Sequence, residues 1–253
     1  MATRTLYLIR HGLHESKHNH NDKLGPALTP VGVEQAKLTA QRFRSLPISA
    51  IHCSTLRRAA ETAEIIAREL SDIPLHRSRG LWECVPCVPP RYAEYFEDYP
   101  AEDLARDKEQ AEKAFDRYFK RARGEDKHEI VVSHGNLIRY FVCRVLQAPK
   151  AWGRMDLCNC GISEVLIKSD GGMILVSHND VRHLPNHLIT SLIGVRLAKT
   201  FYALAQIAFD QGDFVEAQRQ GQESLAIFEA IGHGDAAEVK EWLDGLPAVD
   251  SSE

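Results

Sequence analysis

With 253 residues and a mass of 28.4 kDa, the chain can bury one full α/β core and still carry a small appendage. Its formal charge of -4, from 31 basic and 35 acidic residues spread along the sequence, excludes a nucleic-acid or polybasic membrane signature, so any anion site must be local. The first strand begins without an apolar leader, and no apolar run approaches the roughly 20 residues that span a bilayer. These features, with six cysteines read as reduced thiols, lead to the expectation of a cytoplasmic protein with no nucleic-acid and no membrane partner.

In chain order, an apolar strand over residues 3–9 stops abruptly at Arg10-His11-Gly12, as a buried parallel strand does where its carboxyl end opens into a loop. Leu28-Thr29-Pro30 then opens a helix through residue 41, with proline placed for the first turn. A short strand over 48–53 runs into an amphipathic helix over 54–66 with a Ser or Thr cap. Prolines over 85–90 break the pattern, and a charged helix follows over 101–123. A second abrupt strand, 130–133, ends at Ser133-His134-Gly135 and leads into a helix over 136–146. Two strands, 162–168 and 173–176, flank the turn Asp170-Gly171-Gly172. The alternation predicts an α/β fold, a three-layer α/β/α sandwich with a largely parallel sheet.

Beyond residue 191 the strands disappear. Ala-rich helical patterning with Gly212-Asp213 at a turn resembles the helix-turn-helix of a tetratricopeptide repeat and predicts a C-terminal α-helical hairpin. The division is then residues 1–190 as a catalytic unit and 191–246 as the tail. One such repeat cannot bury its own face, so the tail packs on the catalytic unit, on a second copy or on a protein partner.

If the strands ending at His11 and His134 lie side by side, two imidazoles meet at one rim with Arg10 beside them. That is a site for a phosphoryl group. Hydrolysing a phosphomonoester requires an in-line nucleophile, charge neutralisation on the equatorial oxygens and an acid for the departing alkoxide. A neutral imidazole at His11 suits the first role, since phosphohistidine divides one hard displacement into two easier ones. The forks of Arg10 and Arg58 suit the second, with a further donor in His134. Glu83, after Trp82, suits the third.

These pieces are ordered: Arg10-His11-Gly12, Leu28-Thr29-Pro30 with Gly32, Gln35 and Ala36, Ser54 with Leu56, Arg58, Ala59, Thr62 and Ala63, Leu81 with Glu83, and Ser133-His134-Gly135. Together they resemble the motif set of the histidine phosphatase superfamily, phosphoglycerate-mutase-like, over nearly all of residues 1–190. Asn179-Asp180 with His183-Leu184 is similar to the closing segment of many of its phosphatases. The resemblance implies that His11 is the phosphorylated nucleophile, that Arg10, Arg58 and His134 form the phosphate pocket, and that Glu83 is the proton donor and then the base for water. Arg57 matches in type, but the spacing to Ala59 and Thr62 selects Arg58.

The chain departs from the pattern at the near rim. Many members carry a small hydroxyl residue three positions after the nucleophile and Asn at the sixth, where this chain has His14 and Lys17; Lys17 is a candidate phosphate contact. About fifty residues separate Glu83 from His134, too few for the long lid of cofactor-dependent mutases. Residues 134–147, with Trp152 and Asn159, are similar to a mitochondrial serine/threonine protein phosphatase branch of the superfamily. The resemblance thus implies a metal-independent phosphatase without cofactor, acting on a phosphorylated protein, with small sugar or glycolytic phosphates as the alternative substrates and a catalytically quiet scaffold as the rival class.

Two further clusters invite a metal reading. His14, His18 and His20 with Asp22 fall in an Asn- and Lys-rich loop and read as solvated, and the pairs Cys84/Cys87 and Cys158/Cys160 have poor zinc spacing and read as free thiols, so no metal site is expected.

Overall fold

The computed structural model describes residues 2–15, 22–71, 73–88, 93, 96–230 and 233–247. Along them run β1 (Thr3–Arg10), α1 (Pro30–Phe43), β2 (Ile48–Ser54), α2 (Arg57–Leu70), β3 (Leu75–Ser78), α3 (Ala101–Tyr118), β4 (Lys127–Ser133), α4 (Gly135–Val145), β5 (Ile162–Lys168), β6 (Met173–Asp180), α5 (Leu192–Asp210), α6 (Phe214–Ala230) and α7 (Asp235–Asp244). The strands form one sheet in the order β3-β2-β4-β1-β5-β6. Pairing is parallel from β3 through β1, and β5 runs against both of its neighbours.

The period of two along the strands divides the core. Leu6 and Leu8 of β1 and Val131 of β4 face α3 and α4, where they meet Phe115, Leu137 and Phe141. Tyr7 and Ile9 of β1 with Ile130 and Val132 of β4 face the other way, onto Phe43 of α1 and Ala59, Ala63 and Ile66 of α2. Each fully buried Leu or Ile in these layers contributes roughly 1.5–3 kcal/mol, so the central strands anchor both faces of the sandwich.

Helix α1 starts as its sequence requires: Pro30 stands in the first turn and the Thr29 hydroxyl accepts the Gly32 amide at 3.0 Å. Gly32 also allows a close backbone crossing. A Cβ there would lie 2.0 Å from the Leu13 carbonyl oxygen, and one on Gly12 would lie 2.6 Å from the Gly32 carbonyl oxygen. The loop leaving β1 therefore lies directly against α1.

Two local expectations need correction, and one strand is additional to those expected. Helix α2 has no hydroxyl cap; its cap residue is Leu56, whose amide donates to the Ser54 hydroxyl at 3.2 Å, and the same hydroxyl meets His134 Nε2 at 2.8 Å. Helix α3 ends at Tyr118 rather than near residue 123, where the guanidinium of Arg4 takes the Tyr118 carbonyl that would otherwise remain unpaired at the helix end. Strand β3, with only Leu75 apolar in its four residues, sits at the sheet edge and carries no apolar run to read.

Past Ser191, whose hydroxyl caps α5 through the Gly194 amide at 3.1 Å, the expected hairpin of α5 and α6 turns at Gly212 with φ of +80°. It acquires a third helix: α7 folds back so that Val239 joins Ala198 and Phe228 in a core of the tail's own. The Trp242 ring meets Tyr202 edge-on at 5.5 Å.

Candidate active site

The parallel register of β1 on β4 places Arg10 beside Ser133, so the residues that follow each strand end meet at the carboxyl rim. The His11 and His134 rings are 5.1 Å apart between centroids, tilted by 58°, and both side chains are buried. The main chain around His11 is clamped from several directions. Its amide donates to Ser133 O at 3.0 Å, and its carbonyl accepts from Asn159 Nδ2 at 2.9 Å. The Gly12 amide donates to Thr62 Oγ1 at 3.0 Å, and the Leu13 amide to Gln35 Oε1 at 2.8 Å. Thr190 closes the circuit, accepting from Gln35 Nε2 at 2.9 Å and donating to Asn159 Oδ1 at 2.9 Å.

Two hydrogen bonds fix the His11 tautomer. Its Nδ1 lies 2.8 Å from the Gly12 carbonyl, which can only accept, so Nδ1 carries the proton. Nε2 accepts from Arg58 Nε at 3.1 Å, which places the lone pair there. Burial, followed by the nearby charge of Arg58, holds this imidazole well below its ordinary pKa, so it is neutral at neutral pH. His134 is held down for the same reasons in the same order. With Ser54 at its Nε2, the His134 Nδ1 is a buried nitrogen without a hydrogen-bond partner among the described residues, as is Arg10 Nε. Leaving such groups unmade costs about 1–3 kcal/mol each, a cost that an arriving anion would remove.

Arg10 is buried, anchored by Nη1 to the Leu157 carbonyl at 2.6 Å. Burial lowers its pKa to about 10, partly offset by the charge of Glu83, and it remains a cation. Arg58 enters from the first turn of α2, and a Cβ on Gly25, whose φ is +75°, would come within 3.2 Å of its Nη1. Arg57 turns outward instead, into an ion pair with Asp22 at 2.7 Å.

Glu83 Oε1 accepts from the Asn136 amide at 3.1 Å in the first turn of α4. Packing around the carboxyl desolvates it and raises its pKa above the usual carboxylate value, opposed by Arg58, Arg10 and two backbone amides, although the residue as a whole is exposed to water. The arrangement can hold a tetrahedral anion between two guanidinium groups and two imidazoles, with a nucleophilic lone pair on one side and a protonatable carboxyl nearby.

Of the sequence candidates, His11, Arg10, Arg58, His134 and Glu83 converge here, and Lys17, with His18 and His20, lies outside the described residues. His14 is not the solvated loop residue expected. It is half-buried with its ring 5.3 Å from that of His11, and its pKa is lowered to about 4, chiefly by burial. All six cysteines are free thiols. Sequence reasoning did not assign Ser54, Asn159, Thr190, Gln35 or Thr62 their supporting roles. Gln35 and Thr62 stand within the quoted motifs, whereas only the fold joins Thr190 to Asn159.

Comparison with known proteins agrees with this geometry. A model of the histidine phosphatase superfamily (branch 1) matches residues 6–181. The chain is 35% identical over 204 residues to the human "Serine/threonine-protein phosphatase PGAM5, mitochondrial", a match covering 75% of this chain and 66% of the relative. It is 36% identical over 196 residues to the mitochondrial Pgam5 of Caenorhabditis elegans, covering 75% and 67%. Among solved structures it is similar to a phosphoglycerate mutase of Plasmodium falciparum, with a TM-score of 0.52, 29% identity and coverage of 73% of this chain and 96% of that one. A phosphoserine phosphatase of Entamoeba histolytica in complex with phosphoserine gives a TM-score of 0.54, 26% identity and coverage of 72% and 100%. These relatives correct one expectation. They are named as mitochondrial, which overturns the cytoplasmic placement. These relatives do not support the exclusion of a membrane partner; among the described residues, no helix is long and apolar enough to cross a membrane.

Proposed function

We propose a reaction path and a substrate class for this chain, which belongs to the histidine phosphatase superfamily and is a phosphatase. The observation that carries the path is the fixed His11 tautomer, with an unprotonated Nε2 facing a guanidinium. His11 Nε2 attacks phosphorus while the ester P–O bond breaks, and Glu83 gives its proton to the departing oxygen. Arg10, Arg58 and the Nδ1–H of His134 hold the equatorial oxygens. Glu83, now a carboxylate, takes a proton from water as that water attacks phosphorus, the P–N bond breaks and inorganic phosphate leaves. Lys17 is a further candidate for phosphate binding on the sequence alone. Every role is filled by a side chain of the protein itself.

The substrate is a phosphoserine or phosphothreonine in a protein. The names of the relatives at 35–37% identity support this class. A small phosphomonoester is the second reading, favoured by the structural likeness to a phosphoserine phosphatase. Turnover of phosphoserine peptides against free phosphoserine and sugar phosphates separates the two: a kcat/KM higher for the peptides supports the protein substrate, and one lower by orders of magnitude retires it.

Residues 1–190 form the catalytic unit and 191–246 a tetratricopeptide-like tail that engages a protein partner or a second copy. The separate core of the tail and the exposed Leu197, Leu204 and Ile207 along α5 support this division.

A further inference from the structure

A groove of about 410 Å³ opens beside the turn that carries Trp82, at the carboxyl end of β3. Its walls hold Arg79 from that turn and Arg106, Lys113 and Arg117 from α3, against a single carboxylate, Glu109. In a chain with a net charge of -4 this concentration of cations is local. Part of it is compensated: Lys113 pairs with Glu109 at 2.6 Å, and Arg106 with Asp103 at 2.6 Å. Arg79 and Arg117 are different. Each is exposed and lies over an aromatic ring, Arg79 at 5.8 Å from Trp82 and Arg117 at 5.6 Å from Tyr118, and neither is in an ion pair with a carboxylate among the described residues. Stacking limits the rotamers of both guanidinium groups while leaving their N–H edges for a ligand.

The sheet order sets the distance from this groove to the phosphate pocket. β3 ends on the same rim as β4 and β1 and is separated from β4 by β2 alone. At about 4.8 Å between strands, the lateral step from the end of β3, and so from Arg79, to the β4–β1 pair is about 10–14 Å, which an extended peptide covers in about three to four residues; Arg117 lies further along the groove, because the neighbouring Tyr118 meets Arg4 of the amino end of β1. The connection is also short in sequence, since Trp82, under Arg79, is followed directly by Glu83, and the Trp82 carbonyl accepts from Gln110 on α3 at 3.1 Å.

From this we infer that the Arg79–Arg117 groove is a substrate-docking site for acidic side chains located three or more residues from the phosphorylated residue of a protein substrate, the nearest at Arg79 and the more distant at Arg117. The inference rests on the phosphoprotein reading above and specifies which phosphoproteins suit the enzyme. A small phosphate ester would fill the pocket without reaching the groove.

The test compares phosphoserine peptides carrying glutamate, alanine or lysine at positions three to six to either side, using the full chain and a generic aryl phosphate as reference. The expected result is a kcat/KM about five-fold higher for glutamate than for alanine on one side of the phosphoserine, carried by KM and weakened by salt. In Arg79→Ala/Arg117→Ala this preference is lost, with the aryl phosphate rate unchanged. Arg117→Glu, on α3 and away from the acid-bearing turn, should shift the preference toward lysine, which protects the test should the double variant fold poorly. Equal turnover of acidic, neutral and basic peptides, or a preference that survives Arg117→Glu, would overturn the groove while leaving the phosphoprotein reading intact. Hydrolysis of the aryl phosphate with no turnover of any peptide would instead remove the reading on which the groove depends.

Discussion

Arg58 donates from Nε to Nε2 of His11 across 3.1 Å, so the guanidinium covers the lone pair that attacks phosphorus on the proposed path. Substrate must draw Arg58 from the imidazole to the phosphoryl oxygens before attack. On the proposed path Arg58 therefore both protects the nucleophile and stabilises the transferring group. Replacing it with alanine should raise KM and lower kcat together, by about 10²–10³ in kcat/KM. Arg57→Ala, which removes only the exposed pair with Asp22, should leave steady-state kinetics near wild type.

Glu83 matters in proportion to how poor the leaving group is. A serine alkoxide needs a proton as it departs, whereas an aryl oxide leaves without one, so Glu83→Gln should cost about 10²–10⁴ in kcat on a phosphoserine peptide and far less on an aryl phosphate. Its raised pKa sets the sign of the pH profile for the peptide. Activity is sustained while Glu83 is protonated and falls as pH rises through its pKa; Glu83→Gln removes that limb.

Stability should fall on the acid side for a reason internal to the site. The folded-state pKa values of His11 and His134 lie well below 6.5, and burial is the first cause in each case. Below about pH 6.5 the unfolded chain binds protons that the folded site refuses, so unfolding gains up to about 1.4 kcal/mol per pH unit per imidazole. Urea midpoints at pH 7 and pH 5.5 should therefore separate more in wild type than in His134→Gln. Equal separation would contradict the neutral buried pair.

Gly32 is required by a backbone crossing. Because a Cβ there would meet the Leu13 carbonyl at 2.0 Å, Gly32→Ala should destabilise the fold by about 3 kcal/mol and displace the loop that carries His11. A urea midpoint indistinguishable from wild type would contradict that packing.

The boundary between the catalytic unit and the tail can be placed by what the site needs. Thr190 bonds both Gln35 and Asn159, so truncation after residue 192 should retain aryl phosphatase activity, whereas truncation before Leu188 should lose it. A chain ending at 192 that folds without turnover would tie the tail to catalysis.

Much of this site was legible in the sequence because its groups stand at the ends of elements with strong patterns. The apolar runs before His11 and His134 have one reading as buried strands, and parallel pairing then joins the histidines. Arg58 and Glu83 were found through ordered motifs rather than periodicity, since a cation in a first helical turn and an acid in a loop carry no pattern of their own. β3 escaped because an edge strand does not need apolar residues on both faces, and α7 because a helix that completes a small core shows a weaker stripe. The Ser or Thr cap expected for α2 is missing, and sequence shows only the local partner of the Ser54 hydroxyl, the Leu56 amide, whereas the sheet reveals its distant one, His134. The placement of His14 against His11 likewise follows from the Gly12–Gly32 crossing, which no local pattern encodes.

The central claim is a covalent phosphoryl group on Nε2 of His11, and rapid-quench labelling in a single turnover with a phosphorus-labelled substrate tests it most directly. The account predicts an acid-labile, base-stable phosphate that maps to the peptide containing His11, forms before inorganic phosphate is released and is absent in His11→Ala. Turnover with no protein-bound phosphate, or a label mapped to another residue, would contradict it.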